Sequence, residues 1–297
     1  MLSGTNLPIF ALFLGLAPAA FWLWFWLKQD KLRPEPKSAI FSSFGGGVVA
    51  VFLALFFELI IYYFLVDANP QHIKSVPDIL RIPFENFSLK HNLLNIQADF
   101  WDKIQGFFAN WKFLTSYDFD IKKMFLVVIM APVVEELLKL TFTYNICLRR
   151  KVNDEPIDAS IYMLTSALGF AAIETALIIY EPLSHGRISD TILASNFRSI
   201  GPMLIHIISS ATLGIFIGLA FYKSKIKKFL YLVLGYILAV LLHSLFNFFI
   251  VLNDTTHNIN YFWLACSITW TLVIVLLIFF KRVRQVTKPE DSLARKI

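Results

Sequence analysis

Residues 124–148 read MFLVVIMAPVVEELLKLTFTYNICL, with Lys123 before them and Arg149-Arg150-Lys151 after. A helix of that length is about 37 Å long, enough to cross the roughly 30 Å hydrocarbon core of a bilayer. Its centre holds Glu135, Glu136 and Lys139. A carboxylate or ammonium at mid-membrane costs about 2.5–3.5 kcal/mol on insertion scales. Three such groups one turn apart therefore either satisfy one another structurally or carry chemistry.

The rest of the chain has the same character. Its 297 residues are 57% hydrophobic and 16% charged, with 30 phenylalanines. This is the composition of a polytopic membrane protein, an all-α helix bundle, and not of a soluble domain. The net charge of +6 fits basic loops at a membrane face, so the bilayer and no nucleic acid is the expected partner. Cys147 and Cys266 both lie in apolar segments, which gives neither a disulfide framework nor a CxxC metal site. No Lys or Arg precedes the apolar run that starts at Leu7. A signal peptide needs a basic start, so this run reads as a retained first span.

Apolar runs predict seven transmembrane helices in a single membrane domain over 1–297: about 7–27, 38–66, 124–148, 157–180, 199–222, 229–252 and 260–280. Lys28, Lys31, Arg33 and Lys37 follow the first; Arg149, Arg150 and Lys151 the third; Lys223, Lys225, Lys227 and Lys228 the fifth; Lys281, Arg282 and Arg284 the seventh. The loop after the sixth has no Lys or Arg, and the loop after the fourth has only two, Arg187 and Arg198, the latter at its boundary with the fifth span. The positive-inside rule thus puts the N-terminus outside and the C-terminus in the cytoplasm of a multi-pass cell-membrane protein. The long segment 67–123 is extracytoplasmic in this scheme. Its aromatics, among them Phe100, Trp101, Phe107, Phe108, Trp111 and Phe113, suit either an interfacial amphipathic helix over 92–113 or an irregular loop.

Four successive spans carry polar groups into the membrane: Glu135, Glu136 and Lys139; then Glu174; then His206, with Ser209 and Ser210 on the same face; then His243 and Asn247, one turn apart. Ionisable groups inside a membrane face the bundle interior or a water cavity, so these should converge. A single buried histidine or an i,i+4 ion pair such as Glu135–Lys139 is ordinary structure. Three acids and two imidazoles on four helices exceed what packing requires. Paired carboxylates and imidazoles can activate water and stabilise an oxyanion. Two His and one Glu also make a catalytic zinc set, although no HExxH motif is present. Asn247 could donate to an oxyanion or orient His243. By spacing, Glu136 is the expected general base, with Lys139 holding Glu135 ionised or lining the inner wall. Pro132, one turn before Glu136, is expected to kink the third span and admit water. Gly214-x-x-x-Gly218 is expected to pack closely against another helix.

In this order, Glu135-Glu136-x-x-Lys139, Gly169-Phe170-Ala171-x-x-Glu174, His206 and His243-x-x-x-Asn247 resemble the motifs of the PrsW family of intramembrane proteases, relatives of the CAAX-type prenyl endopeptidases. Arg33-Pro34-Glu35-Pro36 resembles that family's acidic-proline loop. The resemblance runs from about residue 30 to 250. It implies an endopeptidase acting on a membrane-anchored protein, such as the outside first cut in an anti-sigma factor, with Glu135, Glu136, Glu174, His206 and His243 as site residues. Thr175 stands where the family usually has Asn, which touches substrate class more than activity. A metal-free glutamate–water site is preferred; zinc on Glu174, His206 and His243 stays open as the alternative.

Two other functions compete. A catalytically silent scaffold of the same fold would be expected to have lost site groups, yet all but the Thr175 position are kept. A proton-coupled transporter would show repeated halves with broken helices at corresponding positions. Here the polar groups cluster in spans three to six. By helix rise, Glu174, His206 and His243 should lie roughly 10–15 Å below the outer surface, with Glu135 and Glu136 deeper.

Overall fold

A computed structural model describes residues 6–29, 34–65 and 121–286. The segment read as an interfacial helix or loop, 92–113, lies outside the described residues, as does Arg33. Every regular element among the described residues is helical. The helices are α1 (Leu7–Leu27), α2 (Lys37–Leu65), α3 (121–148), α4 (Asp158–Ser184), α5 (Ile188–Ile200), α6 (Pro202–Leu219), α7 (Lys225–Thr256) and α8 (Asn260–Arg284). Six stretches are long and apolar enough to cross a membrane: α1, α2, α4, α5–α6 together, α7 and α8.

α3 is the third predicted span, the one of the seven that is not among these six, and it departs from the simple reading. It is built from two α-helical pieces, Ile121–Phe125 and Ala131–Thr143, each followed by a π-helical turn, Leu126–Met130 and Tyr144–Leu148. No uninterrupted α-helical piece of α3 is long enough to span by itself, and its middle carries the three charges. The region between the fourth and fifth predicted spans also differs. α4 continues through Pro182 to Ser184, and α5 occupies what was expected to be loop. α5 meets α6 at Gly201, with φ −123° and ψ −84°. Pro202 then opens α6, three residues later than predicted. The reason is polarity: Arg187, Asp190, Asn196 and Arg198 break the hydropathy of α5 without breaking its helix.

α4 and α6 form the buried centre. α4 touches α1, α2, α3, α5 and α6; α6 also touches α3, α5, α7 and α8. Small residues explain this. Without water between lipid-facing helices, close approach of backbones drives association. A Cβ on Gly47 of α2 would collide with the Ser166 carbonyl of α4, and one on Gly169 with the Phe44 carbonyl of α2. Gly214 and Gly218 of α6 lie against Ser160 and Pro156, where α4 begins, as their spacing predicts. Polar ties finish the packing. Ser43 Oγ donates to the Tyr162 carbonyl at 2.7 Å, Trp22 Nε1 to the Ser199 carbonyl at 3.1 Å, and the Tyr162 hydroxyl to Glu35.

Candidate active site

The site begins with a gap in α3. In its first π turn the Ala131 N–H reaches back five residues to the Leu126 carbonyl. Pro132 follows and has no N–H, so in the same register the Val127 carbonyl is left without a helical donor. Asn247 Nδ2 of α7 donates to that carbonyl at 2.9 Å. An unpaired carbonyl away from water would cost about 1–3 kcal/mol, so this bond fixes α7 against α3. Tyr236 adds a second tie, its hydroxyl donating to the Val133 carbonyl at 2.7 Å. Beyond Pro132 the α-helix is regular and presents Glu135, Glu136 and Lys139 inward, all buried. Asn247 therefore sits beside the site with its amide N–H engaged on backbone.

Glu136 is fully enclosed by donors. Its Oε1 lies 2.9 Å from Lys139 Nζ, 2.9 Å from Ser209 Oγ and 3.1 Å from His243 Nδ1. Its Oε2 accepts from Ser210 Oγ at 2.7 Å. Lys139, also fully buried, touches Glu135 Oε2 at 3.4 Å and His206 Nδ1 at 2.8 Å. Its ammonium sits 4.2 Å from the centre of the Phe170 ring. The i,i+3 partner thus binds Lys139 more closely than the i,i+4 partner that spacing suggested.

Ring protonation follows from these partners. A protonated Lys139 only donates, so His206 Nδ1 accepts and its Nε2–H donates to Glu174 Oε2 at 2.9 Å. A carboxylate only accepts, so His243 Nδ1–H donates to Glu136; in the neutral ring this leaves the lone pair on Nε2. That Nε2 lies 4.0 Å from Glu135 Oε2. The two imidazoles meet edge to face, with centroids 4.7 Å apart. Glu135 is the least engaged acid of its helix. Its Oε2 is 3.4 Å from Lys139, 3.6 Å from His206 Nδ1 and 4.0 Å from His243 Nε2.

Glu174 is held from outside as well. Arg198 of α5 gives Nη2 to Glu174 Oε2 at 2.7 Å and Nε to Thr175 Oγ1 at 3.2 Å. Thr175 thereby serves as an acceptor for the arginine that anchors the third acid. Sequence reasoning took Arg198 only as a span boundary, because nothing in sequence joins it to α4. It also passed over Glu58 of α2, which lies within electrostatic reach of Glu174, Lys139 and Glu135. The insertion-cost argument that singles out Glu135 applies equally to Glu58.

One ligand atom each from Glu135, His206 and His243 lie within 4.8 Å of one another. In number and type this fits a catalytic zinc, three protein ligands with an open position. The carboxylate that completes the set is Glu135, whereas the sequence reading placed Glu174 there; Glu174 instead hydrogen-bonds His206 Nε2. His206 would ligate by releasing Lys139 or Glu174.

A helical membrane bundle here encloses at its centre the carboxylates and imidazoles that can activate water and stabilise an oxyanion. The family model of PrsW intramembrane metalloproteases matches residues 104–281, and the chain belongs to that family. It is similar to Protease PrsW of Shouchella clausii (strain KSM-K16), 29% identical over 141 residues, 47% of this chain and 60% of that one. It is likewise similar to Protease PrsW of Clostridioides difficile (strain 630), 29% identical over 125 residues, 42% of this chain and 51% of that one. The chain thus matches between 51% and 60% of the length of these curated relatives. No solved structure matches.

Proposed function

We propose that the chain is an intramembrane endopeptidase that hydrolyses a peptide bond of a membrane-anchored protein near the outer membrane face. The observation that supports this best is the convergence of Glu135, Glu136, Lys139, Glu174, His206 and His243 from four helices. Glu135 is the general base in this reading, in place of the Glu136 that spacing favoured. The acceptor positions of Glu136 are filled by Lys139, Ser209, Ser210 and His243, which makes it the clamp of the site. A water between Glu135 Oε2 and His243 Nε2 gives its proton to Glu135 while its oxygen attacks the scissile carbonyl carbon. Lys139 supplies fixed positive charge beside the developing oxyanion. Glu135 then returns the proton to the leaving amide nitrogen. Glu174, steadied by Arg198, keeps His206 in one tautomer. When held by Glu135, His206 and His243, a zinc ion would supply a polarised water and a Lewis acid for the carbonyl.

The outside location rests on the charge asymmetry of the loops and on Arg198 and Glu174, the partly exposed pair at the α5 end of the site. A regulatory first cut in a single-span protein, such as an anti-sigma factor, is the substrate class this placement favours. The test is cleavage of a panel of single-span membrane proteins by the purified chain in detergent, with and without chelator. Cuts near the outer end of the substrate span that disappear in Glu135→Gln and His243→Ala are expected. Equal cutting by wild type and both variants would reject the reading. Loss of cutting with chelator would assign the three-ligand set to a metal.

A further inference from the structure

At the end of α6 remote from His206, a cavity of about 430 Å³ opens between the end of α3, the end of α6 and the start of α7. Its walls are apolar, with Leu148, Ile217, Phe229 and Leu232 among them, and its polar groups include Asn153 and Lys228. The Lys228 ammonium lies 5.8 Å from the centre of the Phe221 ring, which also lines the cavity. Asn153 is anchored through Nδ2, which donates to the Leu148 carbonyl at 2.9 Å. Its Oδ1 is buried and has no hydrogen-bond partner among the described residues. A buried acceptor left without a donor points to a missing donor.

The rim is strongly basic. Arg149, Arg150 and Lys151 lie in the chain between Leu148 and Asn153, and Lys223, Lys225 and Lys227 between Phe221 and Lys228; all six are exposed. The acids nearby are Asp154, Glu155, Asp158 and Glu35; Asp158 accepts from the amide N–H groups of Asp154 and Glu155, and Glu35 takes the Tyr162 hydroxyl. This is the end of the bundle that the charge asymmetry assigns to the cytoplasm, where the leaflet carries anionic lipid.

We propose that this cavity binds one anionic glycerophospholipid with a hydroxyl-bearing headgroup, of the phosphatidylglycerol class. Lys228 and the rim take the phosphate. A headgroup hydroxyl donates to Asn153 Oδ1. An acyl chain lies along Ile217, Phe229 and Leu232. Such a lipid would join α3, which bears the two adjacent glutamates, to α6 and α7 at the end distant from the site.

The experiment is native mass spectrometry of the full chain in detergent, titrated with dioleoyl phosphatidylglycerol, phosphatidic acid or phosphatidylcholine. Phosphatidylglycerol should be retained at least about tenfold more tightly than phosphatidylcholine. Lys228→Ala should weaken it about fivefold, the share of one cation near an anionic headgroup. Lys281→Ala, a cation outside the cavity lining, should change it less than about twofold by the same electrostatic reasoning. Asn153→Leu should erase the preference for phosphatidylglycerol over phosphatidic acid. Inorganic phosphate should not compete. Equal retention of phosphatidylcholine, wild-type retention in Lys228→Ala, or displacement by inorganic phosphate would overturn the proposal.

Discussion

Glu135 and Glu136 are chemically identical neighbours with different surroundings, and this difference separates their roles. Glu136 balances a fully buried ammonium at 2.9 Å and takes hydrogen bonds from two serines and a histidine. Breaking a buried ion pair by removing one partner costs about 3–5 kcal/mol. Glu136→Gln is therefore expected to lower the unfolding temperature in detergent by several degrees, with activity falling as the fold loosens. Glu135→Gln leaves the Lys139–Glu136 pair intact, so it should keep near-normal stability while turnover drops roughly 10²–10⁴-fold. Thermal unfolding and turnover measured on both variants separate these outcomes; the reverse pattern would restore Glu136 as the base. Sequence spacing could list both acids, because insertion cost flags each. It could not rank them, since the ranking depends on Ser209, Ser210 and His243 arriving from α6 and α7.

At the scale of the element, two devices hold the site together. The first is the pairing of Pro132 with Asn247 through the Val127 carbonyl. Asn247→Leu should destabilise the protein by about 1–3 kcal/mol, the cost of an unpaired buried carbonyl. Pro132→Ala restores a backbone N–H, so the double variant should lose less stability than the sum of the two singles. Strict additivity in denaturation midpoints would mean that Asn247 acts elsewhere. The second device is the glycine crossing of α2 on α4. Gly47→Ala should disrupt folding, because its Cβ meets the Ser166 backbone, whereas Gly45→Ala meets nothing within 4 Å and should be tolerated. Expression and monodispersity in detergent read this directly. Hydropathy located α1, α2, α4, α7 and α8 to within a few residues, because a helix inside the bilayer must be apolar along its length whether it faces lipid or other helices. It missed α5, where Asp190, Asn196 and Arg198 interrupt the apolar run without interrupting the helix. It also missed the π turns of α3, the first of which lies against Pro132 and is tied to Asn247 on another helix. The small-residue spacing at Gly214 and Gly218 was legible because a helix repeats every four residues or so.

For the whole molecule, direction in the bilayer is read by labelling from one side. The charge asymmetry predicts that the α4–α5 connection is outside and the α6–α7 connection is in the cytoplasm. Ser184 and Ser224 are exposed at these two places, and the two native cysteines are buried. Single cysteines introduced there should be labelled oppositely by an impermeant reagent, position 184 from outside and position 224 only after the membrane is opened. The inverse pattern would turn the site toward the cytoplasm. The family's motifs were legible as a list of residues in order, and the bundle brings that list to one place. What the list could not contain is the support around it: Arg198 from α5 on Glu174 and Tyr236 from α7 on the Val133 carbonyl. Each lies far in sequence from the group it serves.

If Glu135 activates water to break a peptide bond within the bundle, the new carboxyl group takes its oxygen from solvent. The most direct measurement is cleavage of one single-span substrate in heavy-oxygen water, with the fragments weighed by mass spectrometry. Wild type should place one heavy oxygen in the new carboxyl group of the N-terminal fragment, and Glu135→Gln, folded as well as wild type, should yield almost no fragment. Heavy-oxygen incorporation at the wild-type rate by Glu135→Gln would contradict the account.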